Sequence, residues 1–433
     1  MLVLDTASAN FEKEFAPLEN RFDAGASDKK ISATVQDILA MVRKDGDDAL
    51  FRLTKKYDGI GLSPNTVAIS QAEMKKAGKE ISPKLKSAIN TAHKNITEFH
   101  KKQVEKSWTM KTGKSGKSKI GQIVTPIRRA GLYVPGGTAS YPSSVLMNAI
   151  PANVAGVKEI VICSPTPNDR VEPALLYAAS LCGVKEFYRV GGAQAVGALA
   201  FGTETIKKVD KITGPGNAWV AEAKRQVFGQ VDIDMIAGPS EVCIVADNDA
   251  DPEWVAADIL SQAEHDELAW TFLISPSKEL IQNVVIEISM QVESLERRDI
   301  ASKSYANRFF AIKTKSIRES IKLANRLAIE HLELAFKGAD KMVKDVRDAG
   351  AIFVGNYSPE VLGDYIAGPN HVLPTSGSAR FFSPLGVYDF QKRSSLIHYT
   401  KNDFLDVAEK VALIAESEGL TAHAKSARIR IKE

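Results

Sequence analysis

The stretch that decides the fold is residues 159–246, where short apolar runs alternate with helical segments. It begins with Glu159-Ile160-Val161-Ile162-Cys163, a β-branched run typical of a buried strand. A helix is predicted from Pro173 to Leu181, followed by a strand at Phe187-Tyr188-Arg189-Val190. The alternation continues with a helix at 193–201, a strand at 211–213, a helix at 218–228 and a strand at 242–246. Strands separated by helices of this length predict right-handed crossovers and a doubly wound parallel sheet.

The same alternation resumes after Asp251-Pro252, which is expected to open a helix running to about residue 264. Ser316-x-x-Glu319 resembles a capping box at the start of a later helix, and another long helix is predicted from Ser277. Further strands are predicted at 270–274, 308–313, 331–336 and 351–355. The fold class is therefore expected to be α/β, with two doubly wound, Rossmann-like parallel-sheet domains and small helical extensions at both ends.

The expected division of the chain follows these two sets of strands. Residues 1–25 would form a helical N-terminal extension, and residues 26–128 and 242–380 a discontinuous first α/β domain. Residues 129–241 would form the second α/β domain. Residues 381–433 are mostly helical and too short to form a domain alone. We therefore expect them to pack on their own chain or on a partner subunit.

Composition excludes several classes of protein. The chain has 433 residues, with 56 Lys and Arg against 53 Asp and Glu, so nothing indicates a nucleic-acid or anionic-membrane surface. No apolar run approaches the ~20 residues of a membrane helix, and Asp5, Glu12 and Glu14 stand where a signal peptide would be basic and then apolar. Three cysteines are too few for a disulfide framework, and we expect all three to be core residues. A cytoplasmic, reduced protein is the expectation.

Residues 101–119 are rich in Lys, Gly and Ser. Such a segment can bind phosphate, but like charges among Gly and Ser are more often found in a solvated hairpin tip or loop. We predict the solvated hairpin tip or loop.

Three glycine clusters stand at predicted strand-to-helix junctions: Gly131–Gly137, Gly191-Gly192-Ala193-Gln194 and Gly214-Pro215-Gly216-Asn217. An open parallel sheet binds ligands outside the carboxyl ends of its strands, and glycine lets backbone N–H groups approach a pyrophosphate there. None of the clusters has the complete G-x-G-x-x-G pattern, and each alone is more often a tight turn. Together, at consecutive junctions, they favour a dinucleotide-sized ligand.

Four of the seven histidines have neighbours that suggest chemistry. Gln262 and His265 are three residues apart, so on a helix they share a face and can bind one ion. The other three pairings are Glu330 with His331, Asp364 with His371, and Glu418 with His423. Spacing alone supports zinc only weakly, because Gln is an unusual zinc ligand and a lone histidine is more often structural.

Taken together, these motifs resemble the L-histidinol dehydrogenase family over roughly residues 30 to 430. The motifs that carry the resemblance are long and in the right order. They are residues 131–137, 191–197, 214–225, 234–241, 261–265, 330–333, 363–365, 370–375, 389–393 and 418–423. One difference is Ala328-Ile329, where many members have Gly-Pro before the Glu-His pair.

The resemblance implies oxidation of L-histidinol to L-histidine through L-histidinaldehyde with reduction of two NAD, the final steps of histidine biosynthesis. It implies Zn²⁺ held by Gln262, His265, Asp364 and His423, the last from the other subunit of a homodimer whose active sites are shared. Glu330 and His331 would be the acid–base pair, and Tyr133, Gln194 and Asn217 the NAD contacts in the 129–241 domain. The implied substrate contacts are Ser240, Gln262, His265, His331, Asp364, His371, Glu418 and His423.

Side-chain chemistry agrees with this assignment. A neutral imidazole, with a pKa near ~6.5, suits removal of the hydroxyl proton as hydride leaves, which makes His331 the candidate base. Glu330 can activate the water that hydrates the aldehyde, so no thiolate nucleophile is required. Zinc binds imidazole and amine nitrogens well, and histidinol presents both.

Two alternatives remain open at this point. A paralogue with the same fold and zinc could oxidise another small amino alcohol or a diol, such as a sulfonated propanediol. Glu418 and His371 favour a cationic, imidazole-bearing substrate instead. A non-catalytic metal-binding or scaffolding protein would be expected to have lost the Glu-His pair or a zinc ligand, and this chain has kept them.

Overall fold

A computed structural model describes residues 2–21, 29–136 and 141–431, which contain fifteen strands and sixteen α-helices. The strands are β1 (Leu2–Asp5), β2 (Ala68–Ile69), β3 (Trp108–Thr112), β4 (Ser118–Pro126), β5 (Arg129–Tyr133), β6 (Glu159–Cys163), β7 (Glu186–Tyr188), β8 (Lys211–Thr213), β9 (Asp232–Ile233), β10 (Glu241–Ala246), β11 (Trp270–Ser275), β12 (Phe309–Lys313), β13 (Ile329–Ala335), β14 (Ala349–Val354) and β15 (Gln391–His398). The helices are α1 (Phe11–Glu19), α2 (Lys29–Asp58), α3 (Gln71–Ala77), α4 (Pro83–His100), α5 (Pro142–Ala155), α6 (Pro173–Leu181), α7 (Gly192–Phe201), α8 (Ala218–Val227), α9 (Pro252–Ala263), α10 (Lys278–Gln291), α11 (Arg298–Arg308), α12 (Ile317–Leu327), α13 (Ala339–Met342), α14 (Glu360–Tyr365), α15 (Lys401–Ser417) and α16 (Thr421–Ile429).

Two six-stranded sheets form the body of the molecule. The 129–233 sheet has the order β2-β7-β6-β5-β8-β9, and the 241–354 sheet has the order β1-β12-β11-β10-β13-β14. Within each, five consecutive strands run parallel in the order 3-2-1-4-5, and a sixth strand from the N-terminal part of the chain completes one edge. This is the doubly wound arrangement that the alternating pattern predicted, so the fold class is confirmed.

The helices of residues 29–100 pack on the 129–233 sheet. Helix α2 buries Val35, Leu39 and Val42 against α7 and α8, while α3 packs on α6 and α4 on α5. The expected division had instead grouped residues 26–128 with residues 242–380. The reason for the difference is that the apolar faces of α2 to α4 pack against the helices that cover the 129–233 sheet. The exact domain limits stay a prediction.

The N-terminal segment differs from the expected helical extension because it also contains a strand. β1 pairs in parallel with β12, Leu2 opposite Phe310, and α1 then packs Phe11, Phe15 and Leu18 into the core of the 241–354 sheet. Residues 22–28, which include the expected boundary at residue 25, lie outside the described part of the chain. The segment is thus integrated into the second core.

A separate three-stranded antiparallel sheet, β15-β4-β3, connects the C-terminal segment to the body. The β3–β4 turn exposes Lys114 and Lys117, which confirms the predicted hairpin tip. Asp403 in the first turn of α15 accepts hydrogen bonds from the Ser115 amide and from the Ser115 and Ser118 hydroxyls at 2.7, 2.6 and 2.6 Å. These bonds fasten the start of the C-terminal helices to the hairpin.

All three cysteines are free and buried, as expected for core residues. Burial raises the pKa of the Cys182 thiol to about 12, and the thiols of Cys163 and Cys243 shift in the same direction for the same reason. Across the described ranges, the structure has no helix whose length and apolar character would let it cross a bilayer.

Candidate active site and metal centre

Glu330 and His331 lie at the amino end of β13, beside the first residue of β10. The backbone N–H of Glu241 donates a 2.7 Å hydrogen bond to Glu330 Oε2, and the Glu241 carbonyl oxygen lies 3.0 Å from His331 Nδ1. A carbonyl oxygen can only accept, so Nδ1 carries the hydrogen of that bond. His331 Nε2 is buried and has no hydrogen-bond partner in the part of the chain that the structure describes. In the neutral ring its lone pair is therefore free to take up a proton.

A group of metal-ligand side chains lies next to this pair, where the end of α9 meets α14. Potential ligand atoms of His265, Glu360 and Asp364 all lie within 4.8 Å of one another. Asp364 Oδ1 is also 3.6 Å from His331 Nε2 and 3.9 Å from His371 Nδ1. Gln262 is buried one turn before His265, and its amide nitrogen, when turned toward Glu360, donates to that carboxylate at 3.2 and 3.3 Å. In that orientation the amide oxygen faces hydrogen-bond donors.

Burial sets the ionisation of these groups. It raises the pKa of Glu330 to about 8 and lowers the pKa values of His265 and His371. Burial also opposes the charge on His331, but nearby carboxylates, Glu330 first, raise its pKa well above the ordinary value. Burial likewise opposes the charge on Asp364, but the His331 imidazole beside it lowers its pKa. These shifts favour the neutral imidazoles of His265 and His371 and the ionised carboxylate of Asp364, which form a suitable donor set for a divalent cation.

The three residues expected to contact a dinucleotide lie at the carboxyl ends of the 129–233 strands. Tyr133 ends β5, and its hydroxyl accepts a 3.1 Å hydrogen bond from the Gly192 amide. Gln194 is buried in the first turn of α7, and Asn217 caps α8 by accepting bonds from the next backbone amides at 3.1 and 3.2 Å. Tyr133 and Asn217 flank the point between β5 and β8 where the strand order reverses, which is where open α/β sheets bind ligands.

Gly214 lets the ends of β5 and β8 approach each other at this point. Its φ is +113°, and a Cβ there would lie 2.0 Å from the carbonyl oxygen of Tyr133. No other residue type therefore fits without moving the backbone. Gly137, the last glycine of the first cluster, lies outside the described residues.

Residues 234–240 join the carboxyl end of β9, in the 129–233 sheet, to the amino end of β10, in the 241–354 sheet. At one end Asp234 Oδ2 accepts a 2.8 Å bond from the Gly214 amide, and at the other the Gly238 amide donates to Thr375 Oγ1 at 2.6 Å. Asn370 Nδ2 also donates to the Met147 carbonyl at 2.6 Å. These bonds connect the segment 234–240 and the loop at 370–375 to the carboxyl ends of the 129–233 strands and to the helix that follows β5.

Comparison with known proteins agrees with this architecture. The profile of the family described as histidinol dehydrogenase matches residues 23–431. The chain belongs to the histidinol dehydrogenase family. It is 51% identical to a histidinol dehydrogenase of Caldanaerobacter subterraneus subsp. tengcongensis over 96% of each chain, and 48% identical to one of Clostridium acetobutylicum over 99% of each. The crystal structure of histidinol dehydrogenase from Elizabethkingia anophelis superimposes with a TM-score of 0.92, at 36% identity, covering 100% of this chain and 98% of that one.

Two of the residues that the histidinol dehydrogenase resemblance implies lie apart from the rest. Glu418 follows α15 and His423 lies in α16, and both are exposed. His423 is not among the described residues that group with His265 and Asp364. Ser240 is half-buried, one residue before β10, and its carbonyl oxygen accepts a 3.0 Å bond from the Trp270 amide. A single chain therefore brings Gln262, His265, His331, Asp364 and His371 together.

Sequence reasoning missed three buried side chains of the site: Arg21, Glu241 and Glu360. Glu360 had a detectable signal, because it stands one helical turn before Asp364 and so shares its face of α14. For Glu241 the only signal was its position at the start of a strand, within a motif of the histidinol dehydrogenase family. Arg21 had no signal in the sequence, because the residues around it do not indicate that it contacts Glu241 and Leu327.

Proposed function

We propose that this chain is a zinc-dependent oxidoreductase that converts L-histidinol to L-histidine through L-histidinaldehyde, with reduction of two NAD⁺. The observation that carries the proposal is the unpartnered Nε2 of His331, 3.6 Å from Asp364 at the edge of the metal-ligand group. A proton acceptor and a cation site in one buried place are what oxidation of a nitrogen-bearing alcohol requires. Relatives about 50% identical carry the name of this activity.

The donor set fits Zn²⁺. Gln262, His265 and Asp364 offer an amide oxygen, an imidazole nitrogen and a carboxylate oxygen, and structural chemistry allows four-coordinate zinc with such ligands. The buried Nε2 of His371, which has no partner among the described residues, indicates that the cavity receives a further polar group. We assign the fourth protein ligand to His423 of a second copy. Bound there, Zn²⁺ would hold the imidazole and amino nitrogens of the substrate and orient its carbinol carbon.

His331 removes the hydroxyl proton in the first oxidation. Bound NAD⁺ is the hydride acceptor in both oxidations. As the carbinol C–H bond breaks, the hydroxyl proton passes to His331 Nε2 and an aldehyde is left. The bond from Nδ1 to the Glu241 carbonyl keeps the ring in the tautomer whose Nε2 lone pair faces the substrate.

Glu330 activates water for the second oxidation. Its carboxylate takes a proton from water as the oxygen adds to the aldehyde carbon. The proton that His331 took up in the first oxidation passes to the former carbonyl oxygen, which gives the hydrate and returns His331 to its neutral form. The hydrate then loses its remaining C–H hydrogen as hydride and one hydroxyl proton to His331, which leaves the carboxylic acid. Because burial raises the pKa of Glu330 to about 8, this group exchanges its proton readily near neutral pH.

The remaining contacts follow from the family assignment. We assign Ser240, His371 and a Glu418 from the second copy to the substrate, where the carboxylate would pair with the ammonium group. Tyr133, Gln194 and Asn217 are assigned to NAD⁺, consistent with their place at the carboxyl edge of the glycine-rich sheet. Because the helix N-terminus that Asn217 caps can attract an anion, the pyrophosphate is expected nearby.

A homodimer with shared sites is supported by the exposed apolar face of the C-terminal helices. Leu413 and Ile414 in α15 and Ile429 in α16 are 56%, 63% and 54% exposed. Exposed large apolar side chains on neighbouring helices favour an interaction site, and a second copy would bury them while delivering its His423 and Glu418.

Product stoichiometry tests the proposal directly. Zinc-replete protein is mixed with L-histidinol and NAD⁺, and NADH absorbance and histidine are followed together. The expected result is two NADH for each histidine, with activity lost on chelation and restored by Zn²⁺. One NADH with accumulated aldehyde would contradict the four-electron assignment. Turnover of a sulfonated propanediol but not of histidinol would show that the protein is a paralogue.

A further inference from the structure

The N-terminal segment places one arginine inside the active-site wall. Arg21 follows α1, and its side chain is fully buried. Nε and Nη2 donate to the two carboxylate oxygens of Glu241 at 2.5 and 2.6 Å, a bidentate pair in which neither side chain is exposed to solvent. Removing one partner of such a pair would leave an uncompensated buried charge.

Glu241 is the residue whose backbone holds the catalytic pair. Its N–H is bonded to Glu330 Oε2 at 2.7 Å and its carbonyl oxygen to His331 Nδ1 at 3.0 Å. It is also the first residue of β10, directly after the segment 234–240. Its side-chain contact with Arg21 therefore fixes the end of the strand from which both bonds are made.

The same guanidinium also reaches the turn that precedes the catalytic pair. Arg21 Nη1 donates to the Leu327 carbonyl at 2.8 Å, at the end of α12. The next residue, Ala328, is left-handed, with φ +47° and ψ +61°, and two residues later comes Glu330. Since the backbone at Ala328 is in a conformation that L-residues disfavour, an outside contact that holds the turn is needed more here than in an ordinary cap.

We propose that Arg21 is a positioning residue: it ties the start of β10 to the turn before β13 and thereby sets the Glu330 carboxylate and the His331 imidazole in register. Through Arg21 the N-terminal segment is then part of the catalytic apparatus. This inference rests on the roles proposed above for Glu330 and His331. A buried ion pair alone contributes little net stability, so a positioning role accounts better for the cost of burying it.

Arg326 provides a matched control. It lies in α12 and also binds α1, donating to Glu12 and Glu19 at 2.8 and 2.9 Å, but it makes no contact with Glu241. Arg326→Met thus removes an arginine anchor of the same helix without touching the backbone that holds the catalytic pair.

The test compares Arg21→Met, Arg21→Lys and Arg326→Met in zinc-loaded protein by steady-state kinetics and crystallography. Arg21→Met is expected to lower kcat at least tenfold, with KM for histidinol and NAD⁺ and bound zinc within about twofold of wild type. Arg21→Lys, which keeps the positive charge but loses the bidentate fork to Glu241, should fall between, and Arg326→Met should retain wild-type kcat. If Arg21→Met does not fold, the lysine variant decides by the same criteria.

Crystal structures separate this inference from the proposed function. The Glu330 carboxylate or the His331 ring should be displaced in Arg21→Lys or Arg21→Met and unchanged in Arg326→Met. Unchanged positions together with unchanged kcat would overturn the role of Arg21. Wild-type protein that makes no NADH from histidinol would instead overturn the proposed function, while the displacement still tests Arg21.

Discussion

Nε2 of His331 lies 3.6 Å from Oδ1 of Asp364, which is longer than an ordinary hydrogen bond, while the opposite nitrogen of the ring is bonded to the backbone of Glu241. One side of the imidazole is thus anchored and the other is open toward the metal-ligand group. A proton acceptor held in this way can meet a hydroxyl group of a substrate bound to that group.

Replacing His331 is expected to abolish the proton acceptor while leaving the cation site. His331→Asn should lower kcat by about 10²–10⁴-fold in both oxidations, the range for loss of a general base. Zinc content, measured by atomic emission, should stay near wild type because the metal ligands remain. His398→Asn, at an exposed histidine of β15, is the control and should be fully active. Near-normal turnover of His331→Asn would remove this residue from the mechanism.

Mixing inactive subunits should restore activity if sites are shared between chains. His265→Ala and His423→Ala are each expected to be inactive. A refolded equimolar mixture should regain about one quarter of wild-type activity, because half of the dimers are mixed and each mixed dimer has one intact site. Mixing His265→Ala with Asp364→Ala, whose ligands come from the same chain, should restore nothing. No recovery in the first mixture would argue that one chain supplies every ligand.

Glu330 is expected to destabilise the metal-free protein above acidic pH. Its pKa is raised by burial from 4.5 to about 8. A carboxyl with a higher pKa in the folded state contributes most stability below pH 4.5, and this contribution is lost as pH rises toward 8. The free energy of unfolding of Glu330→Gln, measured relative to that of wild type, should therefore increase by ~2–4 kcal/mol between pH 4.5 and pH 8.

Urea unfolding of chelator-treated wild type and variant at several pH values measures this difference. Glu80→Gln, at an exposed carboxylate, should keep the wild-type pH dependence. Parallel pH profiles for wild type and Glu330→Gln would show that burial does not raise the pKa of Glu330.

Ala328 is expected to strain the turn before the catalytic pair. Because its φ is +47°, the left-handed conformation costs an alanine more than a glycine. Ala328→Gly should raise the free energy of unfolding by about 0.5–1 kcal/mol after the entropy of glycine in the unfolded chain is subtracted. Ala324→Gly, in the regular part of α12, should instead lower it by about 1 kcal/mol or more. A loss of stability in both variants would mean that Ala328 is not strained.

Local pattern predicted the central elements well. β6 and α6 have the predicted bounds, because a β-branched run and a Pro-initiated helix are each decided by neighbouring residues. The edge strands could not be predicted in this way: β2 has two residues, and β1 pairs with a strand about three hundred positions later. The placement of α2 to α4 depends likewise on which sheet their apolar faces meet, and an amphipathic pattern does not specify its partner.

The candidate site was likewise predicted where its residues lie in local motifs and was not predicted where it depends on distant contacts. Glu330, His331 and the group around Asp364 were identified through their motifs, and the structure brings most of these residues together. The roles of Arg21 and Glu241 were not predicted, because they depend on a contact between two residues that are 220 positions apart in the sequence. His423 and Glu418 were predicted from the resemblance, and their exposure in one chain leaves their role a prediction.

The pairing of β1 with β12 has a consequence for synthesis in the cell. β1 is synthesised well before its partner strand: Phe310, opposite Leu2, is made about 15–60 s after Leu2 at ordinary translation rates. Until then β1 and the apolar face of helix α1 have no β12 strand and no 241–354 core to pack against. Leu327, whose carbonyl oxygen accepts a hydrogen bond from Arg21, is made later still. A nascent chain therefore cannot form the contact between Arg21 and Leu327 until Leu327 has been made, and products truncated before that residue should be substrates for chaperones.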